Sequence, residues 1–261
     1  MLERIKKKVE REKSDAKFDG DVVVREKEIL VDESGLPLGC AFKGACDLRS
    51  NEIIIEYAKE HAQKRPTQTE EAVVDIERHE INHKGDARVR TGCPETLETH
   101  LRFYDIITQS LRQSNNIFDA QYVVNAFEDF IDNVNLSEKF DLEGLIEFYS
   151  DVGEHTPGEK YPSFYEAFVR LQTMFWPNPR KKVLNKYCRN EPQVREVIKS
   201  FLRRTGLDRY KRKVVINGKE TEIRDRDAML NYLNNRQNWP ELARIFAEEF
   251  SKLMTPGYAL P

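Results

Sequence analysis

A chain of 261 residues can form one large domain or two intimate lobes, and is long enough to bury a real core. Hydrophobic residues at 39% and charged residues at 33% describe a highly charged globular protein, and no apolar run approaches the length needed to span a bilayer. The opening Met1-Leu2-Glu3-Arg4-Ile5-Lys6-Lys7-Lys8 lacks the apolar core of a signal peptide, so a cytoplasmic protein with no membrane partner is expected.

The net charge of −3 is unevenly spread. From Arg180 to Arg224 there are fifteen Lys and Arg against five Asp and Glu. Such a block suits nucleic acid or an acidic partner, or else the solvated faces of charged helices. The cysteines, Cys40, Cys46, Cys93 and Cys188, match no zinc-ribbon or redox spacing. They are expected to be buried thiols in a reducing compartment, with a Cys40–Cys46 bridge as the alternative.

In chain order, residues 1–17 read as a charged helix with Leu2, Ile5 and Val9 at helical spacing, stopped by Asp19-Gly20. Val22 to Val24 and Ile29 to Val31 are β-branched or apolar runs, with turn chemistry at Ser34 to Pro37. A further strand is expected within Gly39 to Asp47. Asn51 to Tyr57, centred on Ile53-Ile54-Ile55, is the clearest strand of the chain. A helix then opens near Thr67, where Thr67-Gln68-Thr69-Glu70 fits a capping box, and closes at Gly85. After a turn around Thr91 to Pro94, the remainder reads largely helical: 95–114, 119–133, 142–149, 163–175, 193–205, 227–234 and 239–254. Residues 151–162 and 176–179 are breaks. Two short strands flank Asn217-Gly218, a strong hairpin signal.

The helix opening near Thr67 carries His79-Glu80-Ile81-Asn82-His83, the HExxH pattern. Two histidines four apart lie one turn apart on one face, so both imidazoles can reach a single metal ion. At 100° per residue, Ala72, Val73, Ile76, His79, Glu80 and His83 fall within an arc of about 120°. The first turns therefore offer an apolar face to the core, and the last turns offer His, Glu and His along the same face. Zinc needs a third protein ligand. Candidates are His100, His155 in a Gly/Pro-flanked loop, and the acids of the segment from Asn125 to Asn133. On that last helix the apolar face is Val123, Val124, Phe127, Phe130 and Ile131, which favours Glu128 over Asp129 for reaching inward.

HExxH on one helix with Glu128-x-x-x-Asp132 on a later one resembles the gluzincin division of zinc metallopeptidases. The order of elements is also similar to the peptidase-like domains found beside von Willebrand factor A domains, over roughly residues 20 to 135. The resemblance implies that His79, His83 and Glu128 hold Zn2+. It further implies that Glu80 takes a proton from the attacking water and that Asp132 orients a ligand histidine.

The expected fold is α+β. A zincin-like catalytic lobe over 1–135, with a small, mostly antiparallel sheet and the HExxH helix, precedes a mainly helical lobe over 136–261 that borders the cleft. The expected activity is zinc-dependent hydrolysis of peptide bonds in a peptide or protein substrate, with strand 51–57 pairing to it and His155, Tyr149 or Tyr161 assisting the oxyanion. Two other readings stand beside it. One is a catalytically silent zincin-like interaction module, which would have no need of Glu80. The other is a nucleic-acid binder acting through residues 180–224.

Overall fold

The computed structural model describes residues 1–16, 18–31, 38–47, 52–83, 97–113, 120–216 and 219–254. The turns expected at Ser34 to Pro37, at Thr91 to Pro94 and at Asn217-Gly218, the stop at Gly85, and Cys93 lie outside the described residues. The protein is α+β and mainly helical, with two small sheets.

The chain opens with helix α1 (Leu2–Ala16) and strands β1 (Asp21–Lys27), β2 (Phe42–Asp47) and β3 (Glu52–Ala58). Ile53, Ile55 and Tyr57 of β3 are fully buried, as the alternation of a half-buried strand requires. The strand order is β1-β3-β2, with β1 parallel and β2 antiparallel to β3. The N-terminal sheet is thus mixed rather than mostly antiparallel, and its apolar central strand has partners on both sides. Ile29 to Val31 form no strand beyond an isolated bridge at Val31, and Ile29 is 64% exposed.

Helices α2 (Lys59–Lys64) and α3 (Pro66–His83) follow the sheet directly. No capping box forms at the start of α3. Pro66 takes the first helical position, where a missing N–H is harmless, and Thr69 Oγ1 donates back to Arg65 O at 2.9 Å. Glu70 instead meets Arg4 and Lys8 of α1.

Helices α4 (Leu97–Gln113), α5 (Ala120–Leu136), α6 (Glu143–His155), α7 (Ser163–Thr173) and α8 (Pro192–Arg204) build the helical part. The hairpin β4 (Lys211–Ile216) and β5 (Lys219–Arg224), then α9 (Arg226–Asn234) and α10 (Trp239–Phe250), complete it. α6 runs through the expected break, because Asp151 Oδ2 accepts Ala41 N at 2.6 Å and Gly153 lies against the Tyr187 ring. His155 is consequently the last residue of a helix and not part of a loop.

Residues before and after 135 share one continuous apolar core from Ile5 to Leu253. α6 crosses α3 so closely that a Cβ on Gly144 would stand 2.0 Å from Glu71 O, and Gly144 N donates to Asp75 Oδ2 at 2.8 Å. Phe127 and Phe130 of α5 meet Phe246 of α10 at ring-centroid distances of 5.7 and 6.3 Å, and Phe130 also meets Phe201. α5 is therefore held between the sheet-bearing part and the helical part.

Cys40 and Cys188 are free thiols, so the Cys40–Cys46 bridge does not form. Many cations of the basic block are drawn against acids. Lys211 meets Glu222 and Lys213 meets Glu220 across the hairpin, Arg180 meets Glu143, Lys186 meets Glu154, and Arg204 meets Glu248 and Glu249. Among the described residues, no helix is long and apolar enough to cross a membrane.

Glu77 is fully buried, neither of its carboxylate oxygens has a hydrogen-bond partner among the described residues, and Glu12 and Glu10 of α1 stand nearby. Burial, reinforced by Glu12, pushes it up to about 9 from an ordinary 4.5. The folded protein thus holds a proton that the unfolded chain releases between those values. The contribution of Glu77 is most favourable below about pH 4.5 and worsens as pH rises toward 9, by about 1.4 kcal/mol per pH unit. Glu77→Met, close in volume and apolar, is expected to stabilise the protein by about 3 kcal/mol at pH 7 and to flatten this slope. Urea unfolding at pH 5, 7 and 8.5 checks it, and a destabilised variant at pH 8.5 contradicts it.

Candidate metal centre

Helix α3 delivers its last turns beneath the sheet as the periodicity requires. Ala72 and Val73 are fully buried, Ile76 and Glu80 nearly so, and the His79 and His83 side chains are 12% and 11% exposed. The two imidazoles meet edge to face, with ring centroids 4.4 Å apart, and their Nε2 atoms lie 2.9 Å from each other. Two neutral imidazole nitrogens cannot point lone pairs at each other at that distance, so a proton or a cation must sit between them.

A carboxylate completes the group, and it belongs to Asp129. Its Oδ1 is 3.3 Å from His79 Nε2 and 3.3 Å from His83 Nε2. Glu128, favoured by the helical wheel, turns elsewhere: both its oxygens are 3.0 Å from His100 Nδ1. That contact also accounts for His100. His155 stands apart from the centre, its Nδ1 3.2 Å from Asp151 Oδ1.

Asp132 lies one turn along α5 from Asp129 and is fully buried. Its Oδ2 is 2.7 Å from His83 Nδ1, the ring nitrogen remote from the other imidazole. Its Oδ1 accepts Asn82 Nδ2 at 2.8 Å. His79, His83 and Asp132 could also hold a metal ion between them, with one ligand atom of each within 4.8 Å of the others. His79 Nδ1 is buried and has no hydrogen-bond partner among the described residues.

Glu80 faces the edge strand. A Cβ on Gly44 of β2 would stand 2.6 Å from Glu80 Oε1 and 2.6 Å from Ile76 Cγ2, so only glycine lets the strand pass this close. An isolated glycine inside an expected strand was the sequence signal for this approach. Burial raises the Glu80 carboxyl above the ordinary carboxylate range, with His79 and His83 pulling the other way. The loss of water contact pushes Asp129 up, but the two imidazoles outweigh it and hold the acid well below its ordinary range. His79 is raised because Asp129 and Glu80 overcome burial and the repulsion of His83.

Gly44→Ala is expected to displace the Glu80 carboxylate by about 1 Å and lower any Glu80-dependent turnover by about 100-fold. Steady-state kinetics beside metal titration check this, and unaltered turnover contradicts it.

Besides His155, two further residues are expected from the sequence to assist the oxyanion. Tyr161 Oη donates to Tyr149 O at 2.7 Å, which places it in packing. Tyr149 Oη accepts Asn133 Nδ2 at 3.1 Å, and Tyr149 lies within electrostatic reach of Asp129 and His83. The strand expected to receive a peptide, β3, is saturated on both sides, whereas β2 has β3 on one side and, among the described residues, a free edge on the other.

Comparison with protein-family models, curated proteins and solved structures returns no match.

Proposed function

We propose that this chain is a zinc-dependent hydrolase of peptide bonds built on a zincin-like arrangement, with His79, His83 and Asp129 as the metal ligands. The supporting observation is the triangle formed by the two Nε2 atoms and Asp129 Oδ1, with edges of 2.9, 3.3 and 3.3 Å. Donor atoms at zinc–ligand bond lengths in tetrahedral array lie roughly 3.3 Å apart, so these three fit one face of such a site. Nitrogen and carboxylate donors are ones that zinc favours. The Asp129 side chain is 36% exposed, so solvent reaches the edge of the triangle even though the carboxylate is partly desolvated.

When bound, zinc supplies a Lewis acid that polarises a carbonyl and brings the pKa of water to about 7. The chain's residues supply the rest. Glu80, raised by burial, is suited to accept the proton of the attacking water and to return it to the leaving amine. Asp132 Oδ2, 2.7 Å from His83 Nδ1, is placed to take the proton of that nitrogen and so leave Nε2 available as a ligand. The free edge of β2 runs past Glu80 and offers main-chain hydrogen bonds to an extended peptide.

Digestion of a broad peptide library by the wild-type protein, with and without a chelator, tests the activity. Cleavage that chelation removes and zinc restores is expected. Cleavage indifferent to chelation, or none at any zinc concentration, contradicts it.

A further inference from the structure

The HExxH pattern leaves its third and fourth positions unspecified, and in this chain the fourth is Asn82. Its side chain is fully buried and points at an aspartate from another helix, not at solvent. The Nδ2 group donates to Asp132 Oδ1 at 2.8 Å, while the Asn82 Oδ1 atom is buried with no hydrogen-bond partner among the described residues. A residue present only to fill space would avoid that orphaned carbonyl, since an unsatisfied buried acceptor is destabilising and an apolar side chain carries none. The arrangement makes sense if holding Asp132 outweighs the loss.

Asp132 has two oxygens and two neighbours. One oxygen accepts Asn82 Nδ2 in a hydrogen bond, and the other lies 2.7 Å from His83 Nδ1 as an ion-pair contact rather than a hydrogen bond. Without the amide, the carboxylate can turn about its own bond and draw away from His83. Asn82 adjoins His83 on α3, and Asp132 comes from α5. The contact therefore ties the helix bearing the two imidazoles to the helix bearing Asp129.

We infer that Asn82 is a positioning residue: through Asp132 it fixes the His83 ring and so sets the affinity of the centre for its metal. This rests on the metal reading above.

The test is a double-mutant cycle on the zinc dissociation constant, measured by competition with a chromophoric chelator, with circular dichroism of each metal-free chain alongside. Asp132→Ala is expected to weaken zinc binding by about 10–100-fold and Asn82→Ala by about 10-fold, in the range that partners of metal ligands command. The double variant is expected to match Asp132→Ala alone, because Asn82 acts through that residue. Losses that add, or an Asn82→Ala protein that binds zinc as tightly as wild type, overturn the inference. Asn82→Ser, whose hydroxyl stops short of Asp132, is read the same way if the alanine chain does not fold. Failure of both to fold, with or without zinc, assigns Asn82 a structural role and also overturns it. A wild-type protein that binds no zinc defeats the metal reading itself, which separates the two failures.

Discussion

Glu80→Gln is expected to lower peptide hydrolysis by about 10²–10⁴-fold while the protein keeps its metal and its fold. The amide has the shape of the acid but cannot take a proton from water. The acid sits under β2, against Gly44, where its own movement is confined. Loss of function without loss of structure is therefore the predicted pattern. Stability should hold or rise, because burial already disfavours the charged form of this side chain. Single-turnover kinetics with zinc quantification on the same sample separate the two effects. A Glu80→Gln protein within a few-fold of wild type would move the general base to another residue. One that lost its zinc would make Glu80 a ligand or a structural support.

The second large effect separates two neighbouring acids. Asp129→Ala is expected to weaken zinc binding by more than the 10–100-fold associated with partners of the ligands, since it removes a donor atom outright. Glu128→Gln is expected to leave zinc affinity within a few-fold, because its carboxylate serves His100. Asp129→Asn should fall between the two, since it keeps an oxygen but removes the charge. Competition titration of the three variants decides the matter. The opposite ranking, with Glu128 dominant, would mean that the carboxylate leaves His100 when metal arrives and that the sequence-based assignment of Glu128 describes the loaded protein.

The contrast between these acids shows where sequence reasoning stopped. On α3 the periodicity sufficed: Ala72, Val73 and Ile76 pack inward, and the same stripe carries His79, Glu80 and His83. α3 is itself enclosed almost all round, with Asp75, Glu77 and Asn82 buried off that stripe, but its motif residues continue the line of its apolar residues and so could be read from a wheel. α5 is likewise buried on most sides, at Val123, Val124, Phe127, Glu128, Phe130, Ile131, Asp132 and Asn133, and its acids follow no such line. It is enclosed by α3, α4, α7, α9 and α10, so "inward" has several directions, and each acid answers to a different neighbour. The partner sets the direction: His100 for Glu128, the imidazole pair for Asp129, Asn82 and His83 for Asp132.

Strand order was hidden for a related reason. Ile53-Ile54-Ile55 marks β3 as apolar, but an apolar strand does not say which neighbours flank it, and among the described residues the sheet's two edges belong to β1 and β2. The end of α6 was masked by Asp151, Gly153 and Pro157, which read locally as a break. Ala41 N and the Tyr187 ring, distant in sequence, keep the helix going to His155. Gly44 was legible in principle, as a lone glycine in an expected strand, although its partner Glu80 was not.

The proposed centre is tested most directly by anomalous diffraction at the zinc absorption edge from crystals of the wild-type protein grown with zinc. The expected result is a single strong peak bonded to Nε2 of His79, Nε2 of His83 and a carboxylate oxygen of Asp129, at about 2.0–2.2 Å from each. A map with no peak between those rings, or with the peak held elsewhere while the imidazoles keep their mutual contact, would contradict it.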